Sequence, residues 1–237
     1  MQEHTLNRRS WLKGMALTST AVAAATMARA PQGWAFQIPP APASAASAGP
    51  ALLPQAVVAQ LLEGNRRFAA GDPLGPHRDP ARVTATSYGQ APMAAVLGCA
   101  DSRVPVELVF DQGIGDIFVG RVAGNVATPD LIASLEYGTE VLGAAALMVL
   151  GHTDCGAISA AAAGEPVPGQ ISGLFQYLQP ALHAVGNDPV KAVAANVRAQ
   201  VALLSTSSPV LAARVRSGRL AIVGGVYDVA TGRVTLV

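Results

Sequence analysis

The chain has 237 residues, which is room for one globular domain and some additional length, since domains commonly run to about 100–200 residues. Apolar residues make up 51% of it and charged residues 13%, which provides for a buried core and excludes a chain disordered over most of its length. A formal net charge of +1 excludes a field strong enough to argue for a nucleic-acid partner.

Residues 1–35 read as an address and not as part of the fold. The run Arg8-Arg9-Ser10-Trp11-Leu12-Lys13 precedes an uncharged, small-residue stretch from Gly14 to Ala28, and together they resemble a bacterial twin-arginine signal peptide. That stretch is too short and too rich in alanine for a comfortable membrane span of about 20 apolar residues. The resemblance implies twin-arginine export machinery as a partner, transport in the folded state, and a periplasmic or otherwise exported location. Residues 1–35 hold four of the 16 basic residues and one of the 15 acidic ones, so the remainder carries 12 against 14 and is mildly acidic. Residues 36–53, rich in Pro and Ala, read as a flexible linker, and residues 54–237 as the folded domain.

From Gln55 to Ala70, the residues Val58, Leu61, Leu62 and Phe68 fall at helical spacing, and Gly71 and Pro73 stop the helix. A polar loop with His77 and Arg78 follows. Ala94–Gly98 is short, apolar and runs out into Cys99-Ala100-Asp101-Ser102-Arg103, the pattern of a buried strand ending in a loop. Ile117–Val122 and Ala145–Leu150 are two further runs of this kind, and Leu131–Leu142 between them has helical spacing with Leu131, Leu135 and Leu142 on its apolar side. Alternating strands and helices predict an α/β fold, a mostly parallel central sheet flanked by helices. Right-handed crossovers then gather the carboxyl ends of the strands at one edge, where such sheets hold their sites. His183, in an apolar helical stretch, reads as structural. Leu220–Tyr227 and Val234–Val237 flank Ala230-Thr231-Gly232 as a C-terminal edge hairpin.

Two residue clusters follow predicted strands. Cys99 and Asp101 are two apart and share a side in extended backbone, with Arg103 continuing the row. His152 and Cys155 are three apart, on one turn of helix or tight loop, with Gly151 and Gly156 leaving room around them. Two sulfurs, a nitrogen and an oxygen suit zinc, which accepts mixed ligands in a tetrahedron. A single disulfide would also account for both cysteines of an exported chain, though not for His152 or for the Asp101–Arg103 pair. Asp101 is a conditional ligand, because a charge-assisted hydrogen bond from Arg103 can draw it off the metal and leave a position for water.

Cys99-Ala100-Asp101-Ser102-Arg103, Gly120-Arg121-Val122-Ala123-Gly124-Asn125, Ser134-Leu135-Glu136-Tyr137 and Gly151-His152-Thr153-Asp154-Cys155-Gly156 resemble, in this order, the motifs of the beta-class carbonic anhydrases. The similarity covers about Leu61 to the C-terminus. It implies reversible hydration of carbon dioxide to bicarbonate and a proton, with one zinc ion per chain on Cys99, His152 and Cys155, and an Asp101–Arg103 dyad gating the fourth position. It also implies a homodimer or higher homo-oligomer with its sites near the interface. Gln90 matches a glutamine that one branch uses to bond substrate across that interface, and Tyr137 matches an active-site tyrosine; a loop amide and a core tyrosine are the ordinary roles for these two. Val96 stands where the bicarbonate-regulated branch has a tryptophan, so the chain resembles the branch with a standing open site, and Arg121 is left to form a structural ion pair. His77 is either a proton shuttle or an ordinary surface histidine. Two other readings keep the metal: hydrolysis of carbonyl sulfide or carbon disulfide, and an exported zinc- or bicarbonate-binding protein without turnover. The Asp101–Arg103 pair speaks against the second of these, since a storage site has no need of a gated water.

Overall fold

The computed structural model describes residues 53–165 and 167–237; the signal expected at 1–35 and the linker expected at 36–53 lie, apart from Leu53, outside these residues. Along the chain come α1 (Pro54–Ala70), α2 (Pro80–Thr86), β1 (Ala94–Gly98), α3 (Val106–Val109), β2 (Ile117–Arg121), α4 (Pro129–Glu136), β3 (Ala146–His152) and α5 (Gly156–Ala163). They are followed by α6 (Phe175–Ala184), α7 (Pro189–Ser207), α8 (Pro209–Arg216), β4 (Ala221–Tyr227) and β5 (Val234–Leu236). Proline opens α1, α2, α4, α7 and α8, at the position where its fixed φ suits the helix and its missing N–H has no partner to lose. Asp79, Asp188 and Ser208 cap α2, α7 and α8 by accepting backbone N–H bonds.

The five strands lie in the order β2-β1-β3-β4-β5. β1 pairs in parallel with β2 and β3, and β3 with β4, while β5 returns antiparallel beside β4. The α/β fold with a mostly parallel, helix-flanked sheet is therefore the one its sequence pattern predicts, edge hairpin included. Every residue of β1 and β3 is buried, as expected of parallel strands covered on both faces. Alternation divides them: Val96, Met148 and Leu150 meet Val57, Val58 and Leu61 of α1 on one face, and Leu97, Leu147 and Val149 meet Val197 and Leu204 of α7 on the other.

α7 sits unusually close to the sheet. A Cβ on Gly151 would lie 2.5 Å from Val197 Cγ2, and one on Gly224 would lie 2.6 Å from Val197 Cγ1. The space expected around the ligands at Gly151 is thus taken by a helix, with Val197 seated over two glycines of neighbouring strands.

Three expectations change. The strand expected at Ala145–Leu150 continues to His152, so the histidine belongs to the strand. The helix expected over Leu131–Leu142 stops at Glu136 and widens into a π turn at Tyr137–Val141, where the Thr139 hydroxyl donates to the Leu135 carbonyl at 2.8 Å and competes for the helical bond. His183 is exposed, because the buried side of α6 is Leu178, Ala181 and Leu182, and one more residue turns the side chain about 100° away.

Candidate metal centre

Cys99 follows the last residue of β1, and His152 is the last residue of β3, the strand alongside it. Cys155 lies a short turn later, at the N-terminus of α5. In that turn Asp154 adopts φ 54, a left-handed conformation that Asp tolerates better than most residues. Parallel pairing of β1 with β3 is what brings residues about fifty apart to one edge.

The ligand atoms of Cys99, His152 and Cys155 all lie within 4.8 Å of one another. The side chains are buried, with 3%, 1% and 2% of each residue exposed. Both thiols are free. His152 Nδ1 is 2.8 Å from the Thr153 carbonyl oxygen, an acceptor that fixes the proton on Nδ1 and leaves the lone pair on Nε2. That Nε2 is buried and has no hydrogen-bond partner. A buried unpaired nitrogen is costly, and here it faces two sulfurs.

The electrostatics point the same way. The Cys99 thiol is lowered from its ordinary pKa, chiefly by a hydrogen bond from Cys155, with help from His152 and Gly124 against the opposing effect of burial. Cys155 is raised by its bond to Cys99 and by burial. For His152, burial acts downward, but the negative charge of the neighbouring Cys99 sulfur and the Thr153 carbonyl outweigh it and raise the pKa. A divalent cation beside both sulfurs would favour the ionised form of each. Two thiolates and one imidazole nitrogen form a donor set that fits zinc.

Asp101 stands just outside this group. Its Oδ1 accepts from Arg103 N at 2.9 Å and Nε at 3.0 Å, and its Oδ2 accepts from Arg103 Nη2 at 2.8 Å. Oδ2 is 3.8 Å from His152 Nε2. The Arg103 hydrogen bond holds the carboxyl below the usual carboxylate range. Arg103 Nη2 also donates to the Asp154 carbonyl at 3.1 Å, tying the two ligand loops together. Arg121, expected in an ion pair, instead donates to two backbone carbonyls, Nε to Cys99 O at 2.9 Å and Nη2 to Asp101 O at 2.7 Å. Among the described residues it has no carboxylate partner.

Gln90 and Tyr137 are not brought to this cluster within one chain. Gln90 is exposed and precedes the start of β1, whose five residues span about 13 Å from Ala94 to Gly98 at ~3.3 Å each. Tyr137 starts the π turn whose Gly138 carbonyl accepts from Ala144 N, next to the starts of β1 and β3. It is 47% exposed and tilts against Phe118 with ring centroids 6.3 Å apart. His77 likewise lies at this opposite edge, with Nδ1 2.7 Å from Asp116 Oδ2.

Three residues whose contacts sequence reasoning missed support the cluster. Gly124 N donates to Cys99 Sγ at 3.3 Å, and Asn196 and Gln200 of α7 hold the loop around it. Two amides four residues apart on the apolar side of a helix were the available signal; their partners, more than seventy residues away, were not.

The carbonic anhydrase family model matches residues 94–234. "Carbonic anhydrase 2" of Mycobacterium tuberculosis is 38% identical over 191 residues, covering 77% of this chain and 92% of that protein. Among solved structures, the Coccomyxa beta-carbonic anhydrase in complex with acetazolamide superposes with a TM-score of 0.61 at 29% identity, over 76% of this chain and 86% of that one. One of the tetrameric beta-carbonic anhydrases of Sordaria macrospora shares the fold, with a TM-score of 0.63 at 23% identity over 74% of this chain and 94% of that one.

Proposed function

The chain belongs to the carbonic anhydrase family, and from that premise we propose that it interconverts carbon dioxide and bicarbonate at a zinc ion held by Cys99, His152 and Cys155, as a beta-class enzyme. The observation that carries this reading is the unpartnered Nε2 of His152 facing two buried thiols, beside a carboxylate that Arg103 holds away. Zinc, when bound, acts as a Lewis acid that makes water acidic enough to serve as a nucleophile near neutral pH.

The remaining work falls to side chains. The Thr153 carbonyl holds the proton on His152 Nδ1, so the imidazole presents Nε2 inward as a neutral ligand. Asp101, kept ionised by Arg103, is an acceptor only. It takes the hydrogen bond of the attacking water and turns a lone pair toward the carbon of the substrate, while both of its oxygens stay bonded to Arg103. Val126, Ile158, Leu178 and Val193 pack in one buried apolar cluster with the two cysteines, surroundings that limit bulk water at the sulfurs. Gln90 and Tyr137, at the far edge of their own sheet, are assigned to a neighbouring copy's site in a homodimer or larger assembly; the tetrameric fungal proteins of this fold are consistent with such packing. Export by the twin-arginine route, with residues 1–35 as the signal, belongs to the same proposal; the Arg8-Arg9 run and the uncharged stretch after it are what support it.

Stopped-flow hydration of carbon dioxide by the zinc-loaded chain tests the reading. Turnover that depends on one zinc per chain is expected. Full zinc occupancy with no hydration above background would overturn it.

A further inference from the structure

Gly124 N–H donates to the Cys99 sulfur at 3.3 Å. It is aimed there by a left-handed conformation, φ 77, that the surrounding loop must hold in place. The Gly124 carbonyl accepts from Asn196 Nδ2 at 2.9 Å. Asn196 Oδ1 accepts in turn from Gln200 Nε2 at 3.0 Å, which settles which end of the Asn196 amide faces the glycine. Gln200 Oε1 accepts from Ala127 N at 2.9 Å. The two amides are 1% and 3% exposed, and neither has an unpartnered atom.

Burying two amides on a helix face costs free energy even when every bond is made, and leucines would pack α7 against the sheet at least as well. What the amides provide is a fixed loop from Gly124 to Ala127. We propose that Asn196 is a positioning residue for the metal-binding thiolate: by holding Gly124 it keeps an N–H directed at Cys99 Sγ, and Gln200 orients Asn196 for that task. The inference rests on the reading that Cys99 is a zinc ligand. An N–H bond to a thiolate draws electron density from the sulfur and fixes its direction, so α7 sets how strongly Cys99 donates to the metal.

The full chain is loaded with cobalt(II) in place of zinc, and its thiolate-to-metal charge-transfer absorption is recorded beside zinc affinity by chelator competition. Asn196→Leu, which keeps volume and removes the donor, should move the band to lower energy and weaken zinc binding by about 10-fold. Leu204→Ala, two turns along α7 and buried away from the loop, should move neither. Gln200→Leu should act in the same direction by a smaller factor, and it carries the test if Asn196→Leu does not fold. A folded Asn196 or Gln200 variant with the parent's band and an affinity within about twofold of the parent's would overturn the positioning role and leave the zinc site standing. A parent protein that binds cobalt without any thiolate band would overturn the zinc reading itself, and this inference with it.

Discussion

Asp101 and Asp111 are both held ionised by arginine, at two different places in the molecule, and they differ in what is left to bond. Asp111, fully buried in the turn between α3 and β2, accepts from Arg67 Nε at 2.7 Å and from the backbone N–H groups of Leu74 and Gly75, both at 2.9 Å. Arg78 approaches to 3.5 Å. Burial pushes its pKa up, but these donors outweigh burial and lower it. Around Asp101 the side-chain donors come from a single residue two positions away, and its Oδ2 still faces the buried His152 Nε2. A saturated carboxylate locks the fold; one held from a single side is poised for chemistry.

Substitutions should separate the two places. The largest effect is expected of Cys155→Ser, which removes one of three metal donors: zinc content by metal analysis should fall from about one per chain to near zero, and hydration with it. Next comes Asp111→Asn, expected to cost about 3 kcal/mol of stability in denaturant unfolding, the low end for a broken buried pair because Arg67 is about a quarter exposed and stays hydrated. Its hydration rate below the transition should match the parent's. The acid limb gives the sign: with its pKa lowered in the folded state, Asp111 contributes fully above the ordinary carboxylate value of about 3.9 and loses that contribution as pH falls through the lower folded value. The parent should therefore lose stability more steeply than Asp111→Asn below about pH 4. Asp101→Ala should invert the pattern, keeping zinc and stability within a small margin while kcat/KM falls about 100-fold. Parental rates in Asp101→Ala would remove its assigned role, and a loss of zinc would make it a ligand.

The order of these effects follows what the sequence made legible. β1 and β3 stood out because parallel strands covered on both faces are apolar throughout, and the edge hairpin because Gly232 marks the turn. Cys99, Asp101, His152 and Cys155 stood out because scarce, reactive side chains recur at short spacing at the carboxyl ends of those strands. Arg121 was misjudged because its charge suggested a carboxylate, whereas its five N–H donors are as well satisfied by carbonyls. Asn196 stayed hidden because its partner is 72 residues away, and only the close seating of Val197 over Gly151 and Gly224 brings α7 within reach of that loop.

The smallest effect tests the border between the two places. His77 lies on a polar loop where a proton shuttle could be imagined, yet its Nδ1 is bound to both oxygens of Asp116, at 2.8 and 2.7 Å. Asp116 also accepts from Arg82 Nη2 at 2.9 Å and from Gly113 N at 2.9 Å, the same saturated arrangement as at Asp111. With φ 54 at His77, the loop is set by backbone and hydrogen bonds together. The pair is half exposed on the histidine side, so breaking it should cost no more than about 1 kcal/mol. His77→Asn, which tolerates the left-handed backbone, should lower the unfolding midpoint slightly and leave kcat in weak buffer within about twofold of the parent, too little for a general acid–base group. A drop in kcat confined to weak buffer and restored by added imidazole would move His77 from the structural region to the catalytic one.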